Sequence, residues 1–371
     1  ALGQAEYPVD SFRGAGEDLA RQARWWKRED IAEAAVDTTP GAFAGEVALV
    51  TGAAPGSIAT ALVERLLEGG ATVIMTASRV SQARKEFART LYAEHGAAGS
   101  ALWLVPANLS SFRDIDALID WIGSEQRESV GNEVKILKPA LTPTLAFPFA
   151  APSVSGSLAD ASGTTEAQAR LLLWSVERTI AGLARLSQED VDKRCHVVLP
   201  GSPNRGTFGG DGAYGEVKAA LDAILNKWKV EAGWPQGVTL AQVKIGWVAG
   251  THLMGGNDGL VPAAEKAGIK VWSPEEISAE LMDLASADSR EQAAHAPVEK
   301  DLTGGLEGFS LKELAADVEP AGTTGAAAHE ENDAPATITA LPNQVQAVQP
   351  GLEEEVGQVT TDLELSLIHI S

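Results

Sequence analysis

Short apolar runs alternate with amphipathic stretches along most of this chain, and this alternation constrains its fold more than any other feature. The run Val47-Ala48-Leu49-Val50-Thr51 is mostly β-branched and suits a strand that is buried on both faces. A helix is predicted from Ser57 to a stop at Gly69-Gly70, because apolar residues recur there at helical spacing. The pattern then predicts strands at 71–77, 101–107, 142–149, 196–199, 238–247 and 298–302, and helices at 82–95, 114–126, 165–186, 215–231 and 273–285. Regular alternation of this kind predicts an α/β fold with a doubly wound parallel sheet, right-handed crossovers and helices on both faces.

The segments on either side of this region have a different character. Residues 1–42 are predicted to form an N-terminal connector with a helix at about 16–35, which carries the aromatic pair Trp25-Trp26. In 319–364 Ala, Gly, Thr, Pro, Gln and Glu predominate without sustained periodicity, which is typical of an acidic interdomain linker. Residues 43–318 are therefore predicted to form the folded domain, and 311–316 could add a terminal helix.

The last seven residues, 365–371, are an apolar run that closes a polar linker. Their sequence, Leu-Ser-Leu-Ile-His-Ile-Ser, matches the translation of a common sequencing adaptor, so we leave them out of the predicted fold. The alternative is a genuine short strand that begins another domain. In either case we expect the natural chain to continue.

The charge and cysteine content argue against several classes of protein. With 29 Lys and Arg against 51 Asp and Glu, the formal net charge is −22, which disfavours binding to a nucleic-acid backbone or an anionic membrane. Half of that charge lies in 306–371, which contain twelve acidic residues and one basic residue. The single cysteine, Cys195, excludes an intramolecular disulfide and a thiolate zinc site and suits a reduced, cytoplasmic setting. No apolar run reaches the roughly 18 residues that a membrane span requires.

A glycine-containing turn, Thr51-Gly52-Ala53-Ala54-Pro55-Gly56-Ser57-Ile58, follows the first predicted strand. Glycine lets the backbone approach a pyrophosphate, and the next helix offers unpaired N–H groups and the positive end of its dipole. An ordinary β-α turn is the alternative. The position in the first unit of a doubly wound sheet favours a dinucleotide site in a Rossmann-like fold, with Gly52, Gly56, Ser57 and Ile58 as candidate cofactor-binding residues.

The ends of the next two strands carry further candidates for the same site. After the second strand, an enzyme that uses the non-phosphorylated cofactor places an acid on the ribose 2′-hydroxyl. This chain has Ser78 and Arg79 there, which would instead accept a 2′-phosphate, although Arg79 could also be a solvated surface charge. Asn108 and Leu109 follow the third strand and are placed near an adenine by their position alone.

Ser202, Tyr214 and Lys218 are the strongest candidates for catalysis. Tyr214 and Lys218 are four residues apart at the start of a predicted helix, so they lie on one face, one turn apart. Ser202 follows the strand at 196–199, at the sheet edge where ligands bind. An adjacent ammonium should lower the pKa of the phenol from about 10 toward neutrality, and Ser202 could hydrogen-bond a substrate carbonyl. The alternative is a half-buried Tyr beside a surface Lys.

On these motifs the chain resembles the short-chain dehydrogenase/reductase superfamily, and more closely the β-ketoacyl reductase domain of bacterial type I, multidomain fatty acid synthases. The resemblance covers roughly residues 40–318. The stretches that carry it are 43–58 (FAGEVALVTGAAPGSI), 142–152 (TPTLAFPFAAP), 196–221 (HVVLPGSPNRGTFGGDGAYGEVKAAL), 245–258 (IGWVAGTHLMGGND) and 301–306 (DLTGGL).

This resemblance implies a reaction, a cofactor and partners. The reaction is NADPH-dependent reduction of a 3-oxoacyl group on an acyl carrier protein to the 3-hydroxyacyl thioester. Tyr214 would protonate the oxygen, Lys218 would tune Tyr214 and hold the nicotinamide ribose, and Ser202 would orient the carbonyl. The chain would be a fragment of a multifunctional, oligomeric synthase, with 1–42 entering the reductase and 319–364 leading toward a ketosynthase.

Three features depart from the family pattern. Ile58 replaces the usual third glycine, and Pro148-Phe149-Ala150-Ala151 replaces the common Asn-Asn-Ala-Gly. The predicted helix 165–186 contains no Asn, so the proton relay of simpler relatives has no numbered counterpart here. Two other functions stay open, namely a reductase for a polyketide-type assembly line or a free ketone, and a non-catalytic nucleotide-binding scaffold.

Overall fold

The computed structural model describes residues 9–130, 133–152, 154–188, 193–251, 259–307 and, for the backbone, 368–370. The strands are β1 (Val47–Thr51), β2 (Thr72–Ala77), β3 (Ala101–Pro106), β4 (Gln126–Val130), β5 (Glu133–Lys138), β6 (Leu145–Pro148), β7 (Cys195–Gly201), β8 (Val238–Ile245), β9 (Val298–Leu302) and β10 (Ile368–Ile370). The helices are α1 (Glu17–Trp25), α2 (Glu29–Val36), α3 (Ile58–Glu68), α4 (Gln82–His95), α5 (Phe112–Gly123), α6 (Gly163–Ala169), α7 (Ser175–Gln188), α8 (Tyr214–Val230), α9 (Trp234–Gly237), α10 (Val261–Lys266), α11 (Pro274–Leu284) and α12 (Ala287–Ala293).

A parallel sheet is the centre of the domain, as the sequence predicts. Within the described part of the chain, seven parallel strands follow the order β3-β2-β1-β6-β7-β8-β9. The order runs one way from β1 to β3 and the other way from β1 through β6 to β9. This reversal opens a crevice at the carboxyl ends of β1 and β6, which is where ligands bind in open α/β sheets.

Both faces of the sheet are buried, because alternate strand residues point into two separate apolar layers. Ala48 and Val50 of β1 lie in a layer with α3, α4 and α11. Leu49, between them, lies in a second layer with α5, α7 and α8. The same alternation holds along β2 and β3, which explains why these strands read as nearly continuous apolar runs.

The structure differs from the sequence prediction in several elements, among them the short helices α9, α10 and α12, which were not predicted. The connection between α5 and β6 contains an antiparallel β4–β5 hairpin, which its polar sequence does not indicate. The N-terminal helix is broken into α1 and α2 at Lys27, whose φ is 56°. The long helix of 165–186 runs from Gly163 to Gln188 and includes a π-helical turn at Arg170–Trp174.

The C-terminal predictions lie almost entirely outside the described residues. This applies to the linker at 319–364 and to the terminal helix at 311–316. The backbone of Ile368–Ile370 pairs antiparallel with β3, with Ile368 opposite Leu104, and forms an edge strand that the sequence prediction left out of the fold. The adaptor origin of 365–371 stays a prediction. Among the described helices, none is long and apolar enough to cross a membrane.

Candidate active site

The glycine turn after β1 has the backbone geometry that the sequence predicts. Gly52 has φ of 82° and Gly56 has φ of 72°, both in the left-handed region that favours glycine. A Cβ atom on Gly52 would lie 2.7 Å from the backbone of Ala150, at the end of β6. The turn therefore packs directly against the neighbouring strand end, and only glycine permits that approach.

Ser57 fixes this turn to the start of α3. Its Oγ accepts hydrogen bonds from the backbone N–H groups of Ala54 and Thr60, each at 3.1 Å, and donates to the carbonyl of Gly52 at 3.2 Å. Ile58 is the first residue of α3 and packs against the apolar layer of that face. The structure thus brings Gly52, Gly56, Ser57 and Ile58 together in one strand-turn-helix unit, with a helix N-terminus at the sheet crevice.

The candidates after β2 and β3 occupy different environments. Ser78 and Arg79 are both exposed directly after β2. Asn108 is exposed and uses its Oδ1 to accept from the N–H of Ser110 at 3.1 Å, whereas Leu109 is buried in the apolar layer of α5. Ser78 and Arg79 are accessible to a ligand, and Leu109 contributes to the core.

Arg84 is a further basic residue at this edge. It lies in the first turn of α4, and its Nη1 donates to the carbonyl of Ala53 in the glycine turn at 3.3 Å. Arg84 could have been predicted from the sequence, because the helix that follows the second strand of a doubly wound sheet begins beside the glycine turn after the first strand.

Ser202, Tyr214 and Lys218 come together at the carboxyl end of β7. Tyr214 begins α8, and the Ser202 side chain lies close enough to its hydroxyl to lower the Tyr214 pKa. The Lys218 ammonium lies 5.5 Å from the centre of the Tyr214 ring and donates to the carbonyl of Pro200 at 2.6 Å. Ser202 and Lys218 are 6% and 5% exposed, and Tyr214 is half-buried. The alternative of a surface Lys does not fit this burial.

Burial acts on Tyr214 and Lys218 in opposite directions. It raises the pKa of Tyr214 to about 12, the nearby Ser202 side chain opposes this, and the Asp211 carboxylate adds to it. Burial also lowers the pKa of Lys218 to about 7. From the sequence, we expect Lys218 to lower the pKa of Tyr214, and the structure shows the opposite direction because desolvation of the phenolate outweighs the other contributions.

A polar cluster around Tyr214 was missed in the sequence. Asp211 accepts hydrogen bonds from Asn204 Nδ2 at 2.8 Å and from the N–H of Gly215 at 3.0 Å. Gln168 of α6 is fully buried, and its Oε1 accepts from the N–H of Ala213 at 2.7 Å. Their spacing in the chain gives no signal, because α6 and the loop 202–213 meet only in the tertiary structure. No group of three or more His, Cys, Asp or Glu side chains suited to a metal occurs among the described residues.

Comparison with known proteins identifies relatives of this chain. No family model matches the chain. It is 35% identical over 279 residues to fatty acid synthase subunit alpha of Saccharomyces cerevisiae, and 36% identical over 268 residues to the same subunit of Schizosaccharomyces pombe. These matches cover 74% and 71% of this chain and 14% of each relative, so the chain spans only a small part of their length.

Solved structures show the same fold. A short-chain dehydrogenase/reductase family protein matches with a TM-score of 0.54 and 20% identity, over 72% of this chain and 100% of its own. A short-chain dehydrogenase/reductase from Serratia marcescens matches with a TM-score of 0.55 and 20% identity, over 72% of this chain and 99% of its own. The resemblance to a multidomain synthase is thereby confirmed, through fungal relatives. Over about three quarters of its length, the chain is a homologue of a segment of fatty acid synthase subunit alpha, and it has the short-chain dehydrogenase/reductase fold.

Proposed function

We propose that this chain reduces 3-oxoacyl thioesters on an acyl carrier protein to 3-hydroxyacyl thioesters with NADPH, as one part of a fatty acid synthase. The observation that carries the proposal is the meeting of Ser202, Tyr214 and Lys218 at the carboxyl end of β7, with the Lys218 ammonium 5.5 Å from the centre of the Tyr214 ring. These three side chains lie at the same sheet edge as the Gly52–Ser57 turn. The synthase relatives support the acyl substrate and the synthase setting.

The residues at the crevice fit NADPH. A Cβ atom on Gly56 would meet only Gly250 O, at 3.8 Å, so the turn leaves room beside the N-terminus of α3 for a pyrophosphate. The exposed Ser78 and Arg79 would hold the 2′-phosphate, and we place the adenine near Asn108 and Leu109. When bound, NADPH would supply the hydride that reduces the ketone carbon.

Each catalytic side chain has a definite task in this proposal. Ser202 donates a hydrogen bond to the ketone oxygen and stabilises the negative charge that grows there. Tyr214 gives its Oη proton to that oxygen, and its pKa of about 12 keeps the proton in place at neutral pH until the oxygen becomes basic. Lys218 holds the nicotinamide ribose with its ammonium, which Pro200 already orients.

Lys218 is also our candidate for returning the proton to Tyr214. The described parts of α6, the π-helical turn and α7 contain no Asn, so these helices lack the usual relay residue. With a pKa of about 7, Lys218 Nζ can gain and lose a proton at neutral pH. A group poised in this way can accept a proton from solvent and pass it toward Tyr214 Oη.

The domain plan of the sequence is part of the proposal. Residues 43–318 are the reductase domain, 1–42 are a connector entering it, and 319–364 lead to the ketosynthase. In support, α1 and α2 have a small apolar core of their own, separate from both layers of the sheet. The short match to each relative, 14% of its length, leaves ample room for neighbouring domains.

Tyr214→Phe tests the proposed function. It removes the transferable proton while keeping the ring, so we expect NADPH-dependent turnover of a 3-oxoacyl thioester to fall by about a hundredfold or more. NADPH binding, followed by fluorescence titration, should be retained. Tyr92→Phe is the matched control, because Tyr92 is also half-buried and its hydroxyl donates to the Ser100 carbonyl at 3.1 Å, away from the crevice. Wild-type turnover in Tyr214→Phe would refute the assignment.

A further inference from the structure

The carboxylate of Asp211 links the two ends of the loop between β7 and α8. Asp211 lies between Gly210 and Gly212, whose φ values are 73° and 63°. Its Oδ2 accepts from Asn204 Nδ2 at 2.8 Å and from the N–H of Gly215 at 3.0 Å. One oxygen atom therefore joins the start of the loop to the first turn of α8.

The Asn204 end of this link leads to Ser202. Asn204 is 4% exposed, and its own N–H donates to Ser202 Oγ at 3.1 Å. Its Oδ1 accepts from the N–H of Gly206 at 3.0 Å, which fixes the side-chain amide so that Nδ2 faces Asp211. Asn204 therefore connects Asp211 to Ser202, whose hydroxyl orients the ketone.

The other end leads to Tyr214. The N–H of Tyr214 donates to the Asp211 carbonyl at 3.1 Å, and the next N–H, of Gly215, donates to the Asp211 carboxylate. Gln168 supports the same turn, because its Oε1 accepts from Ala213 and its Nε2 donates to the Asp211 carbonyl at 3.4 Å. The turn that carries Tyr214 is therefore fixed from two sides by buried or half-buried groups.

We propose that Asp211, through Asn204, is a positioning residue that fixes the placement of Ser202 relative to Tyr214. This inference rests on the proposed function, since it concerns the same reaction. Neither Asp211 nor Asn204 needs to contact the substrate. Four glycines of the loop, at 206, 209, 210 and 212, have positive φ and give little stiffness of their own, so the separation of the two hydroxyls depends on this link.

The charge of Asp211 also acts on Tyr214, because this carboxylate raises the Tyr214 pKa. The ionisable groups close to Tyr214 are Lys218 on its own helix and Asp211 in the loop, whereas the groups that β7 and α6 supply, Ser202 and Gln168, are uncharged. Removing the Asp211 charge while keeping its shape should therefore make Tyr214 easier to ionise.

The experiment compares Asp211→Ala, Asp211→Asn, Asn204→Ala and the Asp211→Ala/Asn204→Ala double variant with the wild type. Glu216→Gln is the matched control, because it removes an exposed carboxylate two residues after Tyr214. We expect Asp211→Ala and Asn204→Ala each to lower kcat by about ten- to hundredfold, the size expected for losing a hydrogen bond to a charged group, with the NADPH Kd little changed. Because both residues act through one contact, the double variant should lose no more than the worse single variant. Asp211→Asn keeps an acceptor oxygen and should recover part of the lost kcat.

The pKa of Tyr214 can be measured without any catalytic turnover, so it tests this inference separately from the proposed function. The Tyr214 phenol is titrated by its ultraviolet absorbance, as the difference between each protein and its Tyr214→Phe counterpart. Asp211→Asn should shift the Tyr214 pKa downward, and Glu216→Gln should leave it in place. If the wild type reduces no 3-oxoacyl thioester, the proposed function fails, and this titration still decides whether Asp211 faces Tyr214. The positioning role would be overturned if Asp211→Asn left the Tyr214 pKa unchanged or if Asp211→Ala kept the wild-type kcat. It would also be overturned if the losses in the double variant were multiplied, or if kcat and NADPH binding fell equally.

Discussion

Tyr214 and Lys218 show how one environment gives two neighbouring groups different proton affinities. Desolvation disfavours the charged form of each, so it raises the pKa of the phenol to about 12 and lowers that of the ammonium to about 7. The phenol stays protonated at neutral pH, as a proton donor for ketone reduction must be. The Lys218 amine is close to half-ionised at neutral pH, so a change of pH near 7 changes the charge of this residue.

We expect turnover to decline as pH rises through about 7. Lys218 is protonated below its pKa and neutral above it, and both the ribose contact and proton return require the ammonium. The measurement is kcat for NADPH-dependent ketone reduction across the neutral and mildly alkaline range. Lys218→Arg keeps a positive charge at all these pH values and should remove the decline, although its bulk lowers the overall rate. A decline that persists unchanged in Lys218→Arg would assign it to another group.

At the level of elements, the β4–β5 hairpin is attached to the domain by one buried lysine. Lys138 is fully buried at the end of β5, and its Nζ donates to the carbonyls of Ile122, Ser124 and Pro139 at 3.0, 2.6 and 2.7 Å. It also lies 4.7 Å from the centre of the Trp121 ring. The lysine thus satisfies carbonyls at the C-terminus of α5, which is the end of a helix that favours a cation.

Lys138→Met should loosen this attachment without unfolding the sheet. It removes a donor from the Ser124 and Pro139 carbonyls, at a cost of about 1–3 kcal/mol each where they stay buried, whereas the Ile122 carbonyl still accepts from the N–H of Leu141 at 2.9 Å. We expect faster amide hydrogen exchange in β4, β5 and the end of α5, with β1 and β7 still protected. Lys135→Met, on the exposed part of the same strand, is the control and should exchange like the wild type. Unchanged exchange of the hairpin in Lys138→Met would show that other contacts hold it.

Across the whole molecule, His196 joins the sheet to the helices on one face. It lies in β7, is 1% exposed, and contacts Thr239 Oγ1 of β8 at 2.8 Å and the Leu284 carbonyl of α11 at 3.0 Å. Burial lowers its pKa from 6.5 to about 4, and Arg290 contributes in the same direction. The folded protein therefore keeps this histidine neutral at pH values where the unfolded chain would protonate it.

This difference predicts a loss of global stability in mild acid. The unfolded state binds the extra proton, so the contribution of His196 is fully present above about pH 6.5 and is lost as pH falls toward about 4. The loss amounts to about 3 kcal/mol at the acid end. Thermal unfolding measured across this range should show a smaller dependence on pH in His196→Gln. His95→Gln is the control, since His95 is only partly buried, and an equal effect of both substitutions would contradict the prediction.

The sequence by itself determined the sheet, its parallel strands and the positions of the candidate residues along it. Strands buried on both faces must be apolar throughout, so β1, β2 and β3 were visible as local patterns, and Tyr214 and Lys218 had to share a helix face. The tertiary structure alone decided what depends on distant contacts. It brought Gln168 and Asp211 to Tyr214, gave Lys138 its three carbonyl partners, and desolvated Tyr214 enough to reverse the expected direction of its pKa. Local spacing fixes which residues share an element, whereas desolvation and hydrogen bonding depend on which elements meet in space.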